Sequence, residues 1–292
     1  MSSPPESPPS GPRRVALPRM TDRIAVGETG LSISPICMGY VRDPDTISAA
    51  FDAGINFFFL SGDLHWPIYE AARQGLAALL RRGRRMRERI VVAVASYVAQ
   101  PEFAYGPFSE VLEAVPRLGR IDMIVIGGAY GSDFPARRSI HREQVHRDAF
   151  GARALGASFH DRAMALRAIN DAQVDLAFIR YNPVHPGART DLFPALQPSP
   201  ARIFNFKSMT GYRKPRELGA LGIGPELWRP RPTDYYRFAL SCPAIDGILC
   251  ALRHSRQVAA LSRALASPPL DPDEERYLIE LSRLATGRAR LV

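Results

Sequence analysis

Lysine is almost missing from this chain. Of its 38 basic residues, only Lys207 and Lys214 are not arginine. GC-rich codon usage produces such a bias, and it makes a retained lysine conspicuous. Arginine lacks the titratable amine that Schiff-base and general-base chemistry need. Cysteine is scarce too. Cys37, Cys242 and Cys250 show no Cys-x-x-Cys spacing, which points to small buried residues in a reducing compartment. No apolar run is long enough to span a bilayer. Arg13-Arg14 lacks the apolar stretch that follows a twin-arginine signal, so export is not expected and the cytoplasm is. No Gly-rich phosphate fingerprint follows the first strand, which disfavours a doubly wound dinucleotide fold. There is no nucleophile elbow. Asp63, His65, His160 and His185 lack His-x-His or His-x3-His spacing, so no metal site is expected.

What is present is ordinary for a soluble globular protein: 46% hydrophobic residues and 23% charged. Net charge is +9, and the densest basic run is Arg81-Arg82-Gly83-Arg84-Arg85-Met86-Arg87-Glu88-Arg89. No aromatic residues interleave it, so a solvated helix end and loop is expected, with neither nucleic acid nor membrane as partner. Residues 1–22 are Pro- and Ser-rich and are expected to form a disordered tail. Residues 23–292 are expected to form one domain.

Within that domain, short apolar strands alternate with amphipathic helices. Strands are predicted at 33–40, 55–60, 90–97, 123–126, 154–158, 176–181, 202–206 and 245–250. Helices are predicted at 45–53, 69–80, 108–118, 138–150, 162–171, 254–266 and 271–285. Eight β–α units in this length predict an α/β fold, a (β/α)8 TIM barrel. His141 and His146 are expected on the exposed face of helix 138–150.

The stretch Gly54-Ile55-Asn56-Phe57-Phe58-Phe59-Leu60-Ser61-Gly62-Asp63-Leu64-His65-Trp66 resembles the second strand of the aldo-keto reductases, Gly-(Ile/Val)-Asn-Phe-x-Asp-Thr-Ala-x-x-Tyr-Gly. Arg23 to Gly39 resembles the family's opening hairpin and first strand. Ala154 to Asp161 resembles its fifth strand, Val174 to Asn182 its sixth, and Phe206-Lys207 the end of its seventh. Pro268 to Glu275 resembles the start of its final helix. The resemblance implies a barrel with a hairpin plug and a hydride transfer from NADPH to a carbonyl. It also implies an Asp/Tyr/Lys/His tetrad that tunes a Tyr hydroxyl as the acid. Those four positions here hold Phe59, Leu64 (or His65 with one insertion), Ala95 and Gly127. Of the family's nicotinamide contacts Ser158 is kept, while Phe159 and Phe178 replace Asn and Gln. Arg253, Ser255 and Arg256 suit the adenosine phosphate at a helix N-terminus. NADP is therefore only one candidate cofactor. The Cys-rich extension that carries an iron–sulfur cluster in some members is absent, so no cluster is expected.

Strand ends at the barrel mouth carry Asp63, His65, Tyr97, Tyr130, Asp133, His160, Asp161, Arg180, Tyr181, Asn182, His185 and Lys207. From this ring, His65 oriented by Asp63, together with Tyr97 and Lys207, are the candidate catalytic groups. His160, Arg180, Tyr181 and Asn182 are candidate substrate contacts. Alternation puts Arg180 and Asn182 on one face of their strand and Tyr181 on the other. Three functions are open. The first is a repurposed barrel running non-redox chemistry (lyase, cyclase, isomerase or dehydratase) on a small polar or anionic metabolite, in specialised biosynthesis. The second is an NADPH oxidoreductase with a relocated proton donor. The third is a non-catalytic binding protein.

Overall fold

A computed structural model describes residues 13–287; the first twelve residues of the expected tail lie outside the described residues. Strands β1 (Ile24–Val26) and β2 (Leu31–Ile33) form an antiparallel hairpin. Its buried Val26, Leu31 and Ile33 join the core and plug the barrel bottom. The predicted strand 33–40 is divided here. Ser34-Pro35 separates β2 from β3 (Ile36–Met38), because the chain must turn from the hairpin into the barrel.

Strands β4 (Phe57–Ser61), β5 (Val91–Ser96), β6 (Met123–Ala129), β7 (Ala154–Phe159), β8 (Leu176–Arg180), β9 (Arg202–Phe206) and β10 (Gly247–Cys250) follow. All pair in parallel, and β10 bonds both β9 and β3, closing an eight-stranded barrel. The helices are α1 (Asp45–Asp52), α2 (Glu70–Arg81), α3 (Gly106–Ala114), α4 (Phe134–Val145), α5 (Arg162–Asn170), α6 (Ala188–Asp191), α7 (Pro215–Ala220), α8 (Pro232–Ser241), α9 (Ser255–Leu265) and α10 (Pro272–Ala285). Every residue of β4 and β5 is buried, as a parallel sheet covered on both faces requires.

The strand-two motif has structural reasons for its small and polar residues. Asn56 accepts from Ser34 N–H at 2.6 Å and donates to Ser32 O at 2.9 Å, which ties the plug to β4. Gly54 has φ +105°, and a Cβ there would lie 2.7 Å from Thr21 Cγ2. The segment before β1 therefore crosses directly over this turn. That segment corrects the tail boundary: among residues 13–22, Leu17 and Met20 are core residues and Arg14 donates to Ile245 O at 2.7 Å. Single apolar residues amid Pro and Arg show no periodicity, although each contributes about 1.5–3 kcal/mol when buried.

Helix α10 starts as its sequence indicates. Asp271 accepts from the Asp273 and Glu274 N–H groups, and Glu274 returns a bond from Asp271 N–H. Three further corrections concern charge and phase. Arg81 to Arg85 are exposed, but Arg87 is buried and donates to Leu118 O, Ile90 O, Arg120 O and Asp122. Helix α4 begins four residues earlier than predicted, with Pro135 in its first turn. His146 is exposed as expected, but His141 is fully buried. Among the described residues, no helix is long and apolar enough to cross a membrane.

Candidate active site at the barrel mouth

Ring contacts across the barrel identify its inward positions. Phe57 meets Phe204 at 5.7 Å and Phe59 meets Phe178 at 5.5 Å, although their strands are not neighbours. Strand register carries this inward set to Ala93 and Ala95, Val125 and Gly127, Ser158, Arg180 and Phe206. The barrel interior is thus an aromatic plug, and its upper layer is the floor of the mouth. Phe59, Tyr69 and Phe206 are the slightly exposed residues of that floor.

Tyr97 continues β5 and lies over Gly127 and Gly128. A Cβ at 127 would stand 2.7 Å from its ring, and one at 128 would stand 3.2 Å from it. Tyr97 therefore fills the space a side chain at 127 would need. Burial and the Asp63 carboxylate raise its pKa, against a smaller lowering by Arg137. His65 is exposed and meets the Tyr97 ring edge-on at 5.3 Å. Asp63 does not orient His65. Its carboxylate accepts from Ser96 Oγ and Tyr97 N–H, both at 2.7 Å, and from Leu64 N–H. It thereby ties the ends of β4 and β5 together and fixes Tyr97. Leu64 is 66% exposed.

On the other side of Gly128 stands His160, whose ring lies 3.9 Å from a Cβ built there. It stacks on Tyr130 at 5.6 Å and meets Phe206 at 5.5 Å. Burial lowers its pKa, and the nearby Lys207 and Arg180 lower it further. Both cations lie on adjacent strand ends. Arg180 is in register with inward Phe206, and Lys207 Nζ is 5.8 Å from the Phe206 ring. Lys207 is exposed, with φ +58°. Ser158 Oγ accepts from Gly128 N–H at 2.7 Å.

Two expected substrate contacts lie elsewhere. Tyr181 is fully buried on the outer wall, against Phe193 and Phe238, and its hydroxyl accepts from Arg189. Asn182 shares the inward phase but is fully buried as a loop clamp, donating to Lys207 O and accepting from Val184 and His185 N–H. Asp161 and Asp133 likewise bond local backbone, Met164 and Tyr130 N–H respectively.

Sequence reasoning missed Tyr69, which packs against Phe59 at 6.1 Å. Burial holds its hydroxyl well above the usual phenol range. No spacing signal marks it, because it precedes a helix rather than ending a strand. Arg137 was also missed. This 4%-exposed side chain donates to Gly127 O at 2.6 Å and to Ser96 O at 3.4 Å, bracing the backbone under Tyr97. One turn on, His141 Nδ1–H donates to Arg137 O at 2.8 Å.

Burial pushes His141 down to about 4. The unfolded side chain, near 6.5, takes up a proton first, so this contribution to stability is complete above pH ~6.5 and is lost as pH falls toward ~4. Up to about 3 kcal/mol is at stake. Urea unfolding across that range is expected to show the decline, and His141→Gln to flatten it. Equal slopes in the two proteins would exclude His141 as the cause.

Such a closed parallel barrel with a hairpin plug defines the structural class. No protein-family model matches the chain, and no curated protein matches it significantly in sequence. Solved structures do match. The holo form of an aldo-keto reductase from Bacillus halodurans superposes with a TM-score of 0.69 at 15% identity, over 89% of this chain and 96% of that one. A provisional aldo-keto reductase from Pseudomonas aeruginosa gives 0.59 at 17% identity, over 87% and 97%. The chain has the aldo-keto reductase fold.

That fold implies a nicotinamide dinucleotide, and two of the positions that the resemblance gives to its amide hold phenylalanine, Phe159 and Phe178. Phe178 fills the amide side of the slot against Phe59, and Phe159 points outward to Phe134. At the phosphate end Arg253 and Arg256 are exposed and Ser255 begins α9. The Arg253 and His254 N–H groups, however, already donate to Gln257 Oε1.

Proposed function

We propose that this barrel binds a small anionic metabolite at its mouth and moves protons on it without a hydride step. That is the chemistry of isomerases, lyases, dehydratases and cyclases. The observation behind the reading is the position of His160, across Gly128 from Tyr97 and beside Arg180 and Lys207. Arg180 and Lys207 hold the anion and stabilise charge that develops on it. A depressed pKa keeps His160 unprotonated at neutral pH, able to accept a proton. A raised pKa keeps the Tyr97 hydroxyl protonated, able to return one. His65, at the solvent edge of Tyr97, exchanges that proton with water. Lys207 serves by charge rather than as an amine nucleophile, since its side chain is exposed.

The test is solvent exchange. Carboxylate- and phosphate-bearing metabolites are incubated with the protein in deuterated buffer, and NMR scores loss of carbon-bound proton signals. His160→Gln is expected to slow exchange by about 10²–10⁴ while leaving affinity nearly intact. Arg180→Met is expected to weaken binding by about 10–100-fold. A ligand that binds and never exchanges would make the mouth a binding site and end the catalytic reading. If no anion binds, the whole reading fails.

A further inference from the structure

A second concentration of positive charge lies away from the mouth, on the outer wall. A cleft of about 460 Å³ opens there between α8 and α9. Its lining includes Arg229, Arg231, Arg237 and Arg263, with Asp234 as the one acid. That acid is already used. Asp234 Oδ1 accepts from Arg237 Nη1 at 2.9 Å, and Oδ2 accepts from Arg231 N–H at 2.8 Å. Arg229, Arg231 and Arg263 have no carboxylate partner among the described residues, although α8 and α9 bring them to one concavity. The Nε–H groups of Arg229 and Arg237 are buried with no acceptor. Each such donor costs about 1–3 kcal/mol unless something bonds it. Like charges gathered in a cleft repel, and a bound anion removes that penalty.

We propose that this cleft is a second anion site, and that it takes the phosphate group of a small phosphorylated molecule. A planar guanidinium matches phosphate oxygens in pairs, which suits it to this ligand better than to a halide. The volume lies within the ~300–1,000 Å³ of small-molecule sites. Beside the arginines, the Trp228 indole, Ala260 and Ala264 offer an apolar face for the rest of the ligand. The hydroxyls of Thr233 and Ser267 add two polar contacts. This site is independent of the proposed mouth chemistry and shares no residue with it.

Trp66 and Trp228 are the two tryptophans of the chain, and only Trp228 lines the cleft. Trp66→Phe therefore makes emission report on this site. Inorganic pyrophosphate is the first probe, and adenosine monophosphate the second. A saturable emission change is expected with both, with a ³¹P line-broadening titration of the unmodified protein as the parallel measurement. Arg231→Gln and Arg263→Gln are each expected to weaken binding about tenfold or more. Arg82→Gln, a surface arginine outside the cleft, should leave it unchanged.

No saturable change in either measurement up to about 10 mM pyrophosphate, where even a millimolar site fills, would overturn the proposal. Equal weakening by Arg82→Gln would reduce it to bulk charge and also overturn it. Loss of binding in Arg180→Met with retention in the cleft variants would place the anion at the mouth instead. Much tighter binding of a single-stranded oligonucleotide or of anionic vesicles, with the same arginine dependence, would replace the small ligand by a polymer backbone or a lipid headgroup.

Discussion

Phe59→Asp is expected to cost the barrel at least about 5 kcal/mol, and adding the family's residues at the other three positions that the resemblance assigns to its tetrad (64, 95 and 127) is expected to yield no carbonyl reduction. Phe59 is 7% exposed and packs between Phe178 and Tyr69. Deleting such a ring costs about 3–5 kcal/mol, and placing a carboxylate there adds a desolvation penalty. Whole domains are stable by only ~5–15 kcal/mol. The remaining changes make matters worse. Ala95 is 1% exposed and faces inward beside Ser61 and Val125, so a lysine there enters a packed layer. A side chain at 127 collides with Tyr97, and a tyrosine at 64 points to solvent. Urea unfolding of Phe59→Asp and of the quadruple variant, with an NADPH absorbance assay on an aldehyde, checks this. Phe59→Leu should lose only about 1–2 kcal/mol. A stable quadruple variant that reduces aldehydes would refute the account of the plug.

Asp122→Ala is the second large effect, expected at about 3–5 kcal/mol. Asp122 is fully buried below β6, where it accepts from Arg87 at 2.7 Å, Val92 N–H at 2.8 Å and Arg120 at 3.2 Å. Removing the carboxylate leaves the Arg87 guanidinium buried and unpaired, and leaves the Val92 N–H without an acceptor. The penalty therefore comes from the stranded partners rather than from the value of the pair itself. Adding Arg87→Met removes the stranded charge, so the double variant should recover part of the loss. Unfolding midpoints of the single and double variants decide this. If the double variant is less stable than Asp122→Ala alone, stranded charge is not the cause.

Much of the fold was legible because burial on both faces writes itself as apolar runs. Ile90 to Ala95 reads as a strand without any context. What failed was phase and partnership. Pro135 and Pro232 each sit in the first turn of a helix, where a missing N–H costs nothing, and neither fell inside a predicted helix. His141 shares the buried face of α4 with Arg137, Ile140, Gln144 and Val145, a face whose polar residues disguise it as a surface in the sequence. At the mouth, alternation correctly separated Arg180 from Tyr181, but it could not show that Asn182 would be consumed by its own loop. Asp63 and His65 looked like a pair in sequence. The carboxylate instead bonds the next strand, because Ser96 and Tyr97 end level with it. Nothing in the sequence could announce the cleft between α8 and α9, whose arginines come from separate segments in a chain full of arginine.

The stacking of Tyr97 on Gly127 also imposes an order on change. While the aromatic ring keeps its place, a Cβ at 127 meets it at 2.7 Å, so any substitution there requires the Tyr97 side chain to move. Tyr97 itself can shrink without first consulting its neighbour. Of the two single-step routes away from the present arrangement, one needs no neighbour to move and the other does. The contact therefore favours change at 97 before change at 127, and a library that varies position 127 alone is expected to be enriched in glycine.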